Sequence, residues 1–204
     1  MKMLIRTLLI LTALILSACS LGGKTVPLTI IEPQLDPIES AGLTPVDWAI
    51  EVPRPVTDQT RDSDRLIVRR DGGRLQVYPG VSWVDSLPDM VQTLLVQAFT
   101  DSDTVTSAAR SGIRARFALA TELRRFELVD EGGDPQVELV ITARLIDRER
   151  ASTVAVQTFR STARPDSTTL PSVIDAFEAA LTELTGELIE WSVEAGGRAV
   201  ASTP

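Results

Sequence analysis

The sequence predicts an α+β domain in which a mostly antiparallel sheet of about six strands carries two helices on one face. Runs of alternating apolar and polar residues, typical of half-buried strands, recur along the chain. Two segments, 87–99 and 170–193, change to helical periodicity. Short stretches rich in Gly, Pro and Asp separate these elements. We expect the second face of the sheet to stay open.

The first predicted strand is 48–52, where apolar residues alternate with small or polar ones. It ends at Pro53, because proline has no backbone N–H to donate to a strand ladder. A hairpin follows, with 66–68 and 74–78 on either side of Asp71-Gly72-Gly73 and an end at Pro79. Asp-Gly favours a tight turn because both residues tolerate positive φ.

Alternation along the second hairpin strand sorts its side chains onto two faces. Leu75 and Val77 share one face, and Arg74, Gln76 and Tyr78 share the other. We expect the second group to project from the open side of the sheet, where an aromatic ring among polar side chains can bury area against a partner. These three residues are the candidate partner surface. The alternative is that Tyr78 belongs to the core.

The first predicted helix, 87–99, has Pro88 in its first turn, where proline is tolerated. The second helix, 170–193, is predicted to end at Gly196-Gly197, with a disordered tail over 194–204. Trp83 lies just before the first helix, and Trp191 lies on the apolar stripe of the second. Both tryptophans are expected to close the core rather than to anchor a partner.

Three long strands are predicted between the helices, over 115–129, 137–145 and 153–163. In the first of them the apolar positions change parity between Leu123 and Phe126. An extra residue near Arg124-Arg125 would keep both groups on the core face, so we predict a β-bulge there.

The N-terminal segment is typical of a bacterial lipoprotein. Lys2 and Arg6 precede an apolar run over 8–16, which closes at Leu16-Ser17-Ala18-Cys19. This motif resembles a lipobox, in which signal peptidase recognises Leu16, Ser17 and Ala18 and cuts before Cys19, which is then acylated. The run is shorter than the roughly 20 apolar residues of a membrane-spanning helix. A plain secretory signal or a short buried helix is the alternative.

These features divide the chain into a signal peptide over 1–18, a lipidated linker over 19–47 and a domain over 48–193. Four prolines in the linker favour an extended chain. Alternatively, the stretch 28–31 adds a short edge strand. Ser20 follows Cys19, whereas an aspartate there would favour the inner membrane under the Gram-negative sorting rule. We therefore expect the lipid anchor to lie in the outer membrane, on its periplasmic face.

The composition excludes several classes of function. The chain has no histidine, which removes the usual catalytic triads and most zinc sites. It also lacks a Gly-rich phosphate loop and a Gly-x-Ser-x-Gly elbow. A net charge of −8 disfavours nucleic-acid binding. Asp58, Asp62 and Asp64 lack the spacing of a calcium loop. We expect a protein that is not an enzyme, with no catalytic residue, metal ligand or cofactor.

Several short motifs between Trp48 and Trp191 recur together in one lipoprotein family. The most specific is Tyr78 followed by Trp83 and then Leu87-Pro88. The others are Val52-Pro53-Arg54-Pro55, Asp64-Arg65-Leu66-Ile67-Val68, Val77, Leu119, Leu123, Phe126-Glu127, Leu145-Ile146-Asp147 and Trp191. In these residues the chain resembles the auxiliary lipoproteins of ABC-type lipid transporters, which include the paraquat-inducible protein C type. It departs from them in its long linker, unless Leu28-Thr29-Ile30 stands for their usual Tyr-x-Leu strand.

The resemblance implies a role that is not catalytic. Such lipoproteins are thought to bind a periplasm-spanning MCE (mammalian cell entry) protein at the outer membrane and to help complete a route for phospholipids between the two membranes. The expected partners are therefore an MCE protein and, through acylated Cys19, a lipid membrane. Neither the sequence nor the resemblance decides whether the protein forms a homo-oligomer. The alternative is an envelope lipoprotein of similar fold that serves another assembly, such as a Tol-like complex.

Overall fold

The computed structural model describes residues 27–38 and 42–202. Two helices, α1 (Leu87–Asp101) and α2 (Leu170–Ala201), share one apolar core with an eight-stranded sheet. The strands are β1 (Thr29–Ile31), β2 (Ile50–Glu51), β3 (Arg65–Arg70), β4 (Arg74–Trp83), β5 (Ala108–Ala109), β6 (Phe117–Glu131), β7 (Asp134–Asp147) and β8 (Ser152–Ala163).

Strand β6 is the centre of the sheet. Along one side it pairs with β7, which in turn pairs with β8. Its other side is shared, because β2 pairs at Phe117 and Ala118 whereas β3 pairs at 127–130. Beyond β3 lie β4 and then β1, and β5 lies beyond β2.

The α+β class is confirmed, but the prediction of a six-stranded, mostly antiparallel sheet is wrong. The sheet is mixed, since β1–β4, β2–β5, β2–β6 and β3–β6 are parallel pairs. Alternation reports half-burial and carries no information about the direction of a neighbouring strand. The two strands beyond the six predicted, β1 and β5, span only three and two residues, too few to show a period.

The predicted bulge in the central strand is confirmed at Arg124. The β6–β7 register shifts between Leu123 and Arg125, which leaves Arg124 without a partner in β7. Leu123 and Phe126 are therefore both buried in the same core despite their opposite parity.

A second bulge, which alternation did not predict, lies in β4. This strand does not end at Pro79 but continues to Trp83. Val77 pairs with Ile67 and Ser82 pairs with Arg65, so four residues of β4, 78–81, lie opposite Leu66 alone. Gly80 has a φ of 69°, a conformation that glycine adopts without steric cost. The bulge lets Tyr78 and Trp83, which differ in parity, both contact the core.

The N-terminal part of the described chain packs on the domain. Thr29–Ile31 forms the edge strand β1. This confirms the alternative prediction of a short edge strand over 28–31. The backbone N–H of Gln34 then donates to Glu178 Oε1 at 2.8 Å, and that of Asp36 donates to Thr182 Oγ1 at 3.1 Å. Two residues of extended chain advance about 6.7 Å, and four residues of helix advance about 6 Å. Every second residue of the segment can therefore bond to a residue one turn further along α2.

Helix α2 runs past the two glycines that were predicted to end it. It continues to Ala201, so residues 194–201, assigned above to a disordered tail, are helical. A Cβ on Gly196 would lie 2.6 Å from Cζ2 of Trp48 and 3.3 Å from Cε2 of Phe117. Gly196 therefore permits close packing of the helix on Trp48, and this packing outweighs the low helix propensity of glycine, about 1 kcal/mol.

Aromatic side chains occupy the middle of the core. The rings of Trp83, Phe126 and Phe177 lie 5.2 to 5.7 Å apart, centroid to centroid. Trp191 is partly buried and meets Phe159 edge-on at 5.6 Å. The assignment of Trp83 and Trp191 to the core is thus confirmed.

We expect Gly196→Ala to lower the free energy of unfolding by about 1–3 kcal/mol, because the added methyl group overpacks the contact with Trp48. Gly197→Ala is the matched control, since nothing lies within 4 Å of a Cβ there. The control should be stabilised by up to about 1 kcal/mol through helix propensity. Urea unfolding of both variants measures the difference, and equal effects would contradict the packing role of Gly196.

Candidate functional site

The lipobox residues Leu16, Ser17, Ala18 and Cys19 lie outside the described residues. The structure therefore leaves the anchor as a prediction from sequence.

The three residues of the candidate partner surface do not share the open face of the sheet. Tyr78 is half-buried and packs against the core beneath the helices. Gln76 pairs with Val68, a core residue, so it also belongs to the helix side of the sheet. Alternation separated the two groups of β4 side chains correctly. The wrong group was assigned to the open face, because the pairing of Val77 with Ile67 cannot be read from β4 alone.

The open face of the hairpin is occupied instead by Leu75 and Val77. These side chains are 37% and 41% exposed, high values for large apolar residues within a strand. Arg74 and Gln76 are also exposed, but they project from the other face of β4. We call Leu75 and Val77 the hairpin surface.

A buried ion-pair cluster supports the hairpin from the same face. Glu127 is fully buried opposite Ile67 in the β3–β6 pairing. Its Oε1 accepts from Arg69 Nε at 2.5 Å, and its Oε2 accepts from Arg61. Arg61 also contacts Asp58 Oδ2 at 2.5 Å. The cluster therefore fixes the loop before β3 against the sheet.

A second ion-pair cluster joins the end of the first strand region to helix α1. Arg54 donates from Nε to Asp89 Oδ1 at 2.9 Å and from Nη2 to Asp62 Oδ1 at 2.7 Å. Hydrogen bonds from Arg54 and from Ser86 hold the pKa of Asp89 below its usual value. Arg54 therefore belongs to a fork that bridges the loop and the first turn of α1.

Two other charged residues of the family motifs, Asp64 and Asp147, also make internal contacts. Asp64 Oδ2 accepts from Ser82 Oγ at 2.8 Å. Asp147 is fully buried, and its Oδ1 accepts from the backbone N–H groups of Glu149 and Arg150. These carboxylates thus stabilise a strand junction and a turn.

Sequence analysis did not identify Glu127 as a buried charge. One signal was available, since the bulge at Arg124 places Glu127 on the open face in the middle of the central strand. Neighbouring strands cover such a position on both sides. Its partner Arg61 gave no signal, because it lies in an irregular polar loop 66 residues away in sequence.

In the described part of the chain, no group of three or more His, Cys, Asp or Glu residues is placed to hold a metal ion. Over the same residues, no helix has the length and apolar character needed to cross a membrane.

We expect Glu127→Gln to cost about 3–5 kcal/mol of unfolding free energy, because it leaves buried Arg61 and half-buried Arg69 without their shared counter-charge. Asp134→Asn removes the partner of Arg164 in a pair whose side chains are both 65% exposed. That control should change stability by less than about 1 kcal/mol. Chemical denaturation of both variants tests the difference, and a mild effect of Glu127→Gln would refute the supporting role of the cluster.

Comparison with known proteins places these features in a family. Residues 31–188 match the family described as the ABC-type transport auxiliary lipoprotein component. An uncharacterized protein of Bradyrhizobium diazoefficiens, bll6063, is 26% identical over 150 residues. The match covers 71% of this chain and 39% of that relative, so the chain spans only about two fifths of the relative's length.

Solved structures agree with this assignment. Protein XCC0632 of Xanthomonas campestris superposes with a TM-score of 0.79 at 32% identity, over 85% of this chain and all of that one. Protein CT253 of Chlamydia trachomatis shares the fold, with a TM-score of 0.53 at 10% identity, over 72% of this chain and 96% of that one. The family match covers most of the chain and includes the motifs from Arg54 to Asp147. The chain therefore belongs to the family of ABC-type transport auxiliary lipoprotein components.

Proposed function

We propose that this protein is a lipid-anchored, non-catalytic component of an MCE-type ABC system that moves phospholipids between the inner and outer membranes. The observation that carries the proposal is a family match over residues 31–188 that follows a lipobox at Leu16-Ser17-Ala18-Cys19. The family assignment itself indicates a part in transport. The MCE partner, the lipid cargo and the outer-membrane address belong to the proposal.

The lipid anchor keeps the domain bound to the membrane. One acyl chain holds a protein only marginally, since each buried methylene contributes about 0.8 kcal/mol, but several chains on one residue hold it almost permanently. Acylated Cys19 thus keeps the domain at one bilayer, and Ser20 favours the outer membrane. The domain is then placed to meet a partner that spans the periplasm.

The hairpin surface is the proposed contact with the MCE protein. Leu75 and Val77 present adjacent apolar area, and half-buried Arg69, which pairs with Leu75 across the hairpin, forms a polar margin on the same face. A protein interface typically combines such an apolar centre with a hydrated rim. The buried cluster at Glu127 lies beside this surface and keeps it rigid, which lowers the entropy cost of binding.

Replacing Cys19 with Ser should abolish acylation and release the domain from the outer membrane or leave it with its signal segment. Metabolic labelling with palmitate and membrane fractionation measure this. Ser20→Asp is the companion variant, which keeps the acylated cysteine but should move the protein toward the inner membrane. Palmitate in the Cys19→Ser protein would refute the anchor, and unchanged fractionation of Ser20→Asp would refute the proposed address.

The double substitution Leu75→Ser/Val77→Ser should weaken pull-down of the MCE protein about 5- to 50-fold, as loss of apolar interface area does. The melting temperature should change little, because both side chains are already well exposed. Val156→Ser is the matched control, at a 55% exposed apolar position on β8. Tyr78→Ala should instead lower stability, because the ring packs on the core. Unchanged pull-down by the double variant would exclude the hairpin surface as the contact.

A further inference from the structure

A groove runs between helix α1 and the extended segment 32–38. Its cavity has a volume of about 620 Å³, and the residues that line it from α1 are Met90, Thr93, Leu94, Gln97, Ala98 and Asp101. These positions follow the spacing i, i+3, i+4, i+7, i+8 and i+11, which is one face of a helix over three turns. At 1.5 Å per residue the groove is therefore about 16 Å long. We call it the α1 groove.

The wall opposite α1 is fixed in place by helix α2. Gln34 and Asp36 donate backbone hydrogen bonds to Glu178 and Thr182, and Ile38 lies over Gly186, where a Cβ would be 3.7 Å from its Cγ2. These contacts recur at successive turns of α2, so the segment has little freedom to fall into the groove. The site is formed before any partner arrives, which reduces the entropy cost of binding.

The rim of the groove is acidic. Glu32 and Asp36 lie on one wall, and Asp85 and Asp101 lie at the two ends of α1. All four carboxylates are exposed, and no lysine or arginine among the described residues lines the groove. Within residues 27–38 and 42–202, none of the four carboxylates is within 4.0 Å of a basic side-chain nitrogen. The nearby guanidinium of Arg110 donates to Thr93 rather than to a carboxylate.

The floor of the groove is apolar. Met90, Leu94 and Ala98 rise from the core, and Leu35 and the 49% exposed Val84 lie at its margins. Because the floor itself is only 3 to 8% exposed, the apolar area that an occupant can still bury is at Leu35 and Val84, which a small hydrophilic cation would leave uncovered, and the acidic rim would repel an anionic headgroup. An amphipathic helix can place its apolar stripe on the apolar lining of the groove and its flanking basic residues beside the acidic rim.

We propose that the α1 groove receives a short amphipathic helix bearing lysine or arginine from a partner protein of the envelope. The groove accommodates about three turns, with apolar side chains on Met90 and Leu94 and basic side chains near Asp36 and Asp101. It lies on the helix side of the sheet, whereas the hairpin surface lies on the open side. The two sites are thus separate, and either can fail without the other.

Binding is tested with a fluorescein-labelled amphipathic helical peptide of about fourteen residues composed of Leu and Lys, a length that spans the three turns. The protein used begins at Ser20 and retains every residue of the described core, which lies between Ile31 and Val200. Fluorescence anisotropy should show saturable binding that weakens as salt screens the rim. A Leu and Glu peptide of the same pattern should not bind.

Asp36→Asn/Asp101→Asn should weaken binding about 3- to 10-fold, as loss of two exposed ion pairs does. Glu187→Gln/Glu190→Gln removes the same charge from exposed positions that do not line the groove, and it should leave binding unchanged.

Gln97→Trp should fill the groove and weaken binding by about tenfold or more. An equal loss in the Glu187/Glu190 control would mean attraction by net charge alone. That result, or full binding by the Gln97→Trp protein, would overturn the proposal, as would co-sedimentation of the protein with phosphatidylethanolamine vesicles, without peptide, that Gln97→Trp abolishes.

Discussion

Helix α2 is the constraint on which the rest of the structure depends. Its buried side packs on β6, β7 and β8 through residues such as Phe177, Leu184 and Leu188. The same helix accepts the N-terminal segment through Glu178 and Thr182 and meets Trp48 at Gly196. Segments that are distant in sequence thus all pack against this one helix. Because the contacts at Glu178 and Gly196 are about five turns apart, a change at one end of the helix need not reach the other.

Elements whose pattern is local were predictable from the sequence. The two helices and the bulge at Arg124 follow from apolar periodicity, and Trp83 follows from its place beside a helix. The sequence did not indicate which elements lie next to one another in the fold. The parallel direction of β3 beside β6, the face of the sheet that holds Tyr78 and the end of α2 depend on residues far away in sequence. Gly196 is the clearest case, since a glycine that permits packing and one that ends a helix look alike in sequence.

The charged residues that carry the family resemblance serve the scaffold. Glu127 neutralises two arginines, Arg54 bridges a loop to α1, and Asp147 closes a turn. A buried charge is costly unless it is paired, so the fully buried Glu127 and Asp147 commit the chain to one arrangement of the loops around them. The contacts proposed for partners lie instead on exposed features, Leu75 and Val77 on one side of the sheet and the acidic rim of the α1 groove on the other, and of these only Val77 belongs to the motifs. Relatives with the same motifs can therefore differ in partner.

The attachment of residues 34–38 to α2 sets the reach of the domain from the bilayer. If the protein is acylated at Cys19 as proposed, only ten peptide steps separate the anchor from Thr29, where β1 joins the sheet. Even a fully extended chain covers roughly 35 Å in ten steps. A free linker as far as residue 47 would span about three times that distance. On such a tether the β1 edge of the sheet would stay within about 35 Å of the bilayer surface, so a periplasmic partner would have to approach the membrane to bind.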